Sequence, residues 1–134
     1  MVPDFLSRNV VAAVEATGIS IQQLQQNDPE IRDVQNILAK GVPFRERLPL
    51  VDRKVLEKVA LQCDVCEGVV WYTHEAQVER HYTLYAPPDV RRIILRAAHE
   101  SPEAGHGGVD RTLTRVRRDH WWPGMTKDVT DFVA

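Results

Sequence analysis

Apolar positions recur at helical spacing in the first and last thirds of the chain and alternate at strand spacing between them. Ser20 offers a cap for Ile21-Gln22-Gln23-Leu24-Gln25-Gln26, which predicts one or two helical turns. Asp28-Pro29-Glu30 is a stronger start signal: a capping carboxylate, proline at the first helical position, and an acid near the positive helix end. Ile31, Val34, Ile37 and Leu38 follow at amphipathic spacing, and Gly41 supplies the stop. Residues 42–50, with Pro43 and Pro49, read as a connector, and Asp52 is placed to cap a short helix through about Val59. The character then changes. Gly68-Val69-Val70-Trp71-Tyr72-Thr73 and His81-Tyr82-Thr83-Leu84-Tyr85 are β-branched and aromatic, separated by the polar run from Glu75 to Arg80, and predict two short antiparallel strands.

Beyond Pro87-Pro88 the helical period returns. Asp89 is read as the cap of a helix through His99, with Val90, Ile93, Ile94 and Ala97 as its apolar stripe. Residues 100–108 carry Pro102, Gly105, Gly107 and Gly108 and read as a loop. A second helix from about Val109 places Val109, Leu113, Val116 and His120 on one face and Arg111, Arg115 and Arg118 on another. Trp121-Trp122-Pro123-Gly124 breaks it, and a third helix runs from about Thr126 toward Ala134, with Met125, Val129, Phe132 and Val133 available for packing. Near the start, Val10 to Val14 form an apolar stretch read as a short helix or a tail. The expected fold is therefore α+β and α-rich. It comprises a helical N-terminal extension, a short two-stranded antiparallel element and a C-terminal three-helix bundle.

Composition narrows the classes. A hydrophobic fraction of 43% and a charged fraction of 27% over 134 residues are ordinary globular values and argue against wholesale disorder. No apolar run approaches the length of a membrane span, and Met1-Val2-Pro3-Asp4 opens no secretory signal, so a nuclear or cytoplasmic protein, not secreted and without a membrane partner, is expected. The formal charge of -2 gives no global attraction to nucleic acid. Its distribution is slightly uneven: from residue 88 onward eight Lys/Arg stand against seven Asp/Glu, and before it nine against twelve.

Three groups of residues could carry chemistry. Cys63 and Cys66 form a Cys-x-x-Cys pair; metal binding, a redox dithiol and plain reduced cysteines at a strand edge or turn all suit that spacing. His99 and His106 have six residues between them, and the glycines of the intervening loop would let both imidazoles meet one Zn²⁺. A structural zinc site needs four ligands, so two histidines are half of one. Arg111, Arg115 and Arg118, with Lys127 beyond the turn, present cations in a row suited to phosphate oxygens; a solvated face balanced by Asp110, Asp119 and Asp128 has the same pattern.

The order of residues around the histidines resembles the HHCC zinc-binding region of Gypsy-class LTR retrotransposon integrases. The matching run is His99, six residues, then His106-Gly107-Gly108, Thr112-Leu113, Trp122-Pro123-Gly124-Met125, Asp128-Val129 and Phe132-Val133. Upstream, Gln26-Asn27-Asp28-Pro29, Gly68-Val69-Val70-Trp71-Tyr72 and Leu84-Tyr85-Ala86-Pro87 are similar to that family's N-terminal extension, and Asp4-Phe5-Leu6-Ser7-Arg8 resembles the tail of its preceding RNase H domain. Asp4 alone would not organise that nuclease's two metal ions. The resemblance implies a division into 1–19 (RNase H tail and linker), 20–87 (integrase extension with the strand pair) and 88–134 (zinc-binding region). It also implies zinc as cofactor, with His99 and His106 as ligands. The family pattern places its Cys-x-x-Cys just past Ala134, so the zinc site is expected to be incomplete here. Cys63 and Cys66 are the open question as substitutes.

For function, the resemblance implies a non-catalytic part of an integrase, whose acidic strand-transfer core is not among these residues. Its expected partners are DNA, through Arg111, Arg115, Arg118 and Lys127, and integrase subunits or another protein. Two further readings stay open: a host-adopted protein-interaction module without zinc or DNA, and a helix-turn-helix regulator built from the Ile93 helix, the glycine loop and the arginine helix.

Overall fold

A computed structural model of the chain describes residue 15 and residues 18–74, 81–100 and 108–134. The apolar stretch Val10–Val14, the residues that resemble an RNase H tail, and His106 with most of its loop lie outside these. Six helices and four strands make up the described part: α1 (Ile21–Asn27), α2 (Pro29–Lys40), α3 (Leu50–Leu61), β1 (Cys63–Cys66), β2 (Val69–His74), β3 (His81–Tyr85), α4 (Pro88–Glu100), α5 (Val109–Asp119), β4 (His120–Trp121) and α6 (Met125–Val133). The α-rich α+β class is as expected.

Local chemistry explains the first helices. The Ser20 hydroxyl accepts from the Gln23 amide at 3.0 Å and caps α1. Asp28 Oδ2 accepts from the Ile31 amide at 3.0 Å, Pro29 follows it, and Gly41 closes α2 in the left-handed region at φ 80°, where a side chain would be strained. The connector after α2 is held down by Asp33. Its fully buried carboxylate accepts from the Arg45 backbone amide at 2.8 Å and from Arg45 Nε at 2.6 Å. The caps proposed for α3 and α4 are displaced. Pro49 precedes α3 and Pro88 opens α4, so Asp52 and Asp89 fall inside first turns, where an acid still meets the positive helix end. The stripe of α4 is also rotated: Val90, Ile94 and Leu95 are buried, whereas Ile93 is 48% exposed.

The expected strand pair is present, and a further strand flanks it on each side. The order is β1-β2-β3-β4, antiparallel from β1 to β3 and parallel between β3 and β4. β1 turns into β2 over two residues, Glu67 at φ 52° and Gly68 at φ 79°, the geometry of a tight hairpin whose twist matches the strands. A Cβ at Gly68 would lie 2.4 Å from Gln22 Nε2, so the turn packs directly under α1. β4 is only two residues long and pairs through Leu84↔His120 and Tyr85↔Trp121.

Strand alternation divides the core between the two faces of this sheet. One face carries Trp71 and Leu84 and packs with Ile21, Leu24, Val90, Ile94, Leu95, Val116, Trp122, Met125 and Val129, that is, α1 and the C-terminal bundle. The other carries Cys63, Val70 and Tyr85 and packs with Ile31, Val34, Leu56 and Ala60 of α2 and α3. The packing therefore crosses residue 87/88 on both faces of the sheet. Trp121 touches both clusters, stacked on Tyr72 at 3.8 Å between centroids and edge-on to Tyr85 at 5.1 Å.

One buried side chain links α1 to the sheet. The β2–β3 pairing runs from His74↔His81 to Trp71↔Leu84, and the next rung would join Val70 to Tyr85. There Gln25 intervenes. Its Nε2 donates to Val70 O at 3.0 Å and to Tyr85 O at 2.8 Å, and its Oε1 accepts from Val70 N at 2.8 Å. Replacing Gln25 by Leu strands three buried backbone groups, each costing about 1 kcal/mol or more. The expected loss is about 3 kcal/mol in urea unfolding, and a loss below about 1 kcal/mol would contradict the assignment.

Candidate metal and nucleic-acid site

The C-terminal bundle is formed by α4, α5 and α6, with the Trp121–Gly124 turn between the last two. That turn is anchored where Trp122 Nε1 donates to Asp128 Oδ2 at 2.8 Å, and Trp122 itself is fully buried. At the outer end of this bundle, in the last turn of α4, stands His99. Its ring meets Phe132 of α6 edge-on at 5.9 Å, and its Nδ1 is buried without a hydrogen-bond partner among the described residues. Such a nitrogen is open to a metal ion, but His120 Nε2 is in the same state, so it does not by itself mark a ligand. Among the described residues, however, no group of three or more His, Cys, Asp or Glu gathers to hold a metal ion. These residues thus supply His99 and do not by themselves compose a closed zinc site. His106 lies outside the described residues.

Cys63 and Cys66 do not fill the gap. Both belong to β1, where side chains alternate between faces, so a spacing of three residues sends them to opposite sides. Cys63 is buried in the cluster with Ile31 and Tyr85, and Cys66 packs at the edge of the cluster with Trp71. The two thiols cannot share one ion without breaking the strand. Burial, aided by the Asp64 charge, also pushes the Cys63 thiol up to about 12, which disfavours the thiolate that a metal requires. The metal-pair and redox-dithiol readings of Cys-x-x-Cys therefore give way to two separate reduced cysteines.

The basic face on α5 has a mixed character. Arg111 and Arg118 are exposed, Arg115 is half-buried and engaged, and Asp110 and Asp119 lie at either end of the helix. Lys127 on α6 pairs with Asp131 at 2.7 Å, an exposed i,i+4 ion pair that raises the Lys127 pKa. Arg117 lies away from the predicted row, on a groove of about 360 Å³ bordered by Trp121, Trp122, Pro123 and Thr126.

Two histidines carry structural contacts that their sequence positions do not announce. His81, at the start of β3, is hydrogen-bonded through Nε2 to the Arg118 carbonyl and ties the C-terminal end of α5 to the sheet. His120 is 6% exposed in β4, with Nδ1 toward Val116 O at 3.3 Å and Nε2 buried without a partner among the described residues. Burial lowers its pKa, so the ring is held neutral. Neither role is legible in the chain, because a contact across the sheet has no sequence period.

The placement of the cysteines is directly testable. A thiol reagent at neutral pH is expected to label Cys66 readily and Cys63 only on unfolding. Fast, equal labelling of both would contradict the burial that separates them.

Residues 86–134, which span this site, match the family described as the integrase zinc binding domain. Over 82 residues the chain is 24% identical to the Gypsy retrotransposon integrase-like protein 1 of Pongo abelii and 28% identical to that of Macaca fascicularis. Each alignment covers 61% of this chain and 16% of the relative. It is 34% identical over 44 residues to the retrovirus-related Pol polyprotein from transposon 412 of Drosophila melanogaster, covering 32% of this chain and 4% of that one. No solved structure matches. The chain thus spans a small part of the length of these relatives, and the matched family is a zinc-binding domain. Residues 86–134 are thus similar to the integrase zinc binding domain, and the chain is similar over a longer stretch to Gypsy retrotransposon integrase-like proteins.

Proposed function

We propose that this chain is a non-catalytic, zinc-binding part of a retrotransposon-type integrase. It would act in DNA integration by binding element-end DNA and supporting integrase assembly. The observation that carries the reading is the family match over residues 86–134, joined to the buried Nδ1 of His99 inside that stretch, which has no partner among the described residues. His99 and His106 are the proposed zinc ligands from this chain. A structural zinc would cross-link the end of α4 to the loop that bears His106, and its binding free energy would add directly to the stability of the bundle.

DNA contact is assigned to Arg111, Arg115 and Arg118, which α5 presents along one side. Lys127 is the weakest member of the set, since Asp131 already holds its ammonium group. With Asp110 and Asp119 on the same helix and a net charge of -2, the affinity of this part alone is modest and depends on salt. A host-adopted interaction module without zinc or DNA is the second reading, favoured by the absence of a three-ligand metal group among the described residues.

Zinc content and DNA binding separate the two. Zinc added to the chain is expected to bind weakly through the two histidines, so His99→Ala lowers zinc affinity and removes the rise in melting temperature that zinc gives, whereas Cys63→Ala/Cys66→Ala leaves zinc affinity unchanged. Equal zinc affinity in His99→Ala would refute the ligand assignment. For DNA, Arg111→Ala/Arg118→Ala is expected to reduce the slope of log affinity against log salt by about 2, one for each lost phosphate contact. An unchanged slope would move the DNA face elsewhere, and binding that ignores salt would favour the interaction module.

A further inference from the structure

Helix α3 buries only one side. Leu56 and Ala60 face the core, while Leu50 is 65%, Val51 73%, Val55 55% and Leu61 82% exposed. Four large apolar side chains exposed on a helix of 12 residues far exceed scattered surface hydrophobics. Lys54 and Glu57 are exposed on the same helix. Leu50, Lys54, Glu57 and Leu61 succeed one another at intervals of four, three and four, which aligns them in a single stripe along the helix.

That stripe reads apolar, cation, anion, apolar, and its order selects an occupant. Two copies laid antiparallel about a twofold axis through the middle of α3 place Leu50 against Leu61 of the other copy and Lys54 against Glu57 of the other copy. The symmetry repeats both pairs. A parallel pairing would set Lys54 on Lys54 and Glu57 on Glu57, which is repulsive. The existing partner of Glu57 is Arg53 on its own helix, at 3.2 Å and solvent-exposed, a surface ion pair that exchanges readily. Val51 and the exposed Lys58 lie beside the stripe, and Val55 stands farther round the helix.

From this self-complementarity we propose that the exposed face of α3 is a homotypic, antiparallel docking surface for a second copy of this chain. One helix face is small beside the roughly 1,200 Å² at which stable interfaces begin, so the contact is weak and depends on concentration. The proposal rests on the assembly half of the proposed function and gives it a surface. It needs neither zinc nor DNA, so the two fail separately.

Sedimentation velocity on the full chain, through the micromolar range, tests it with exposed charge changes that leave the core untouched. The wild-type chain is expected to self-associate. Lys54→Glu sets carboxylates against carboxylates across the axis and Glu57→Lys sets ammonium groups against each other, so each alone weakens association on the order of tenfold. In an equimolar mixture of the two variants every facing charge pair is opposite in sign, and dimers are expected to return. A wild-type chain that stays monomeric overturns the proposal. So do single variants that associate like wild type, or a mixture that remains monomeric; these last two results would leave α3 to a different occupant.

Discussion

The amide of Gln25 is the constraint around which the rest of this fold is arranged. A sheet of short strands cannot keep backbone groups unpaired in its interior, yet the β2–β3 pairing stops at Trp71↔Leu84 while β3 goes on pairing with β4 on its other edge through Tyr85. Gln25 occupies the vacated rung with two donors and one acceptor, which frees the chain to turn without a buried unsatisfied carbonyl. The same bond set docks α1 on the sheet, and α1 in turn covers Trp71 and Leu84 beside the C-terminal bundle. A single polar side chain thereby connects the N-terminal helices, the sheet and the bundle that carries His99.

The sheet is more than an appendage of the C-terminal bundle. With α2 and α3 on one face and α1 with α4, α5 and α6 on the other, it is buried from both sides and behaves as the central layer. β4 emerges directly from α5, and His81 holds the α5 carboxyl end, so the arginine helix is held by strands as well as by neighbouring helices. Its orientation therefore does not depend on a metal ion alone. What zinc would add lies at the opposite end of the bundle, where His99 meets Phe132.

That arrangement separates three surfaces. One end of the bundle carries His99, the outer side of α5 presents arginines, and α3 exposes Leu50, Val51, Val55 and Leu61 on the far face of the sheet. The two helices belong to different core clusters, so a partner on α3 and a phosphate backbone on α5 would not compete for the same side chains.

The sequence by itself determined the helices with strong end signals. Asp28-Pro29 and Gly41 bound α2 through local hydrogen bonds and backbone geometry that need no tertiary partner. The zinc-binding resemblance was legible in the same way, because an ordered run of histidines, glycines and Trp-Pro-Gly-Met is a property of the chain. Tertiary structure decided the rest. β1 was hidden because Cys63-Asp64-Val65-Cys66 is too short to show a period, and its turn carries Glu67 in place of the asparagine or aspartate that usually marks one. β4 is two residues of a tryptophan-rich break that becomes a strand only where β3 offers an edge. The cysteine pair shows the difference most plainly. Their spacing is fixed in the chain, but whether two side chains three residues apart converge or diverge depends on the backbone between them, and the pairing with β2 made it a strand.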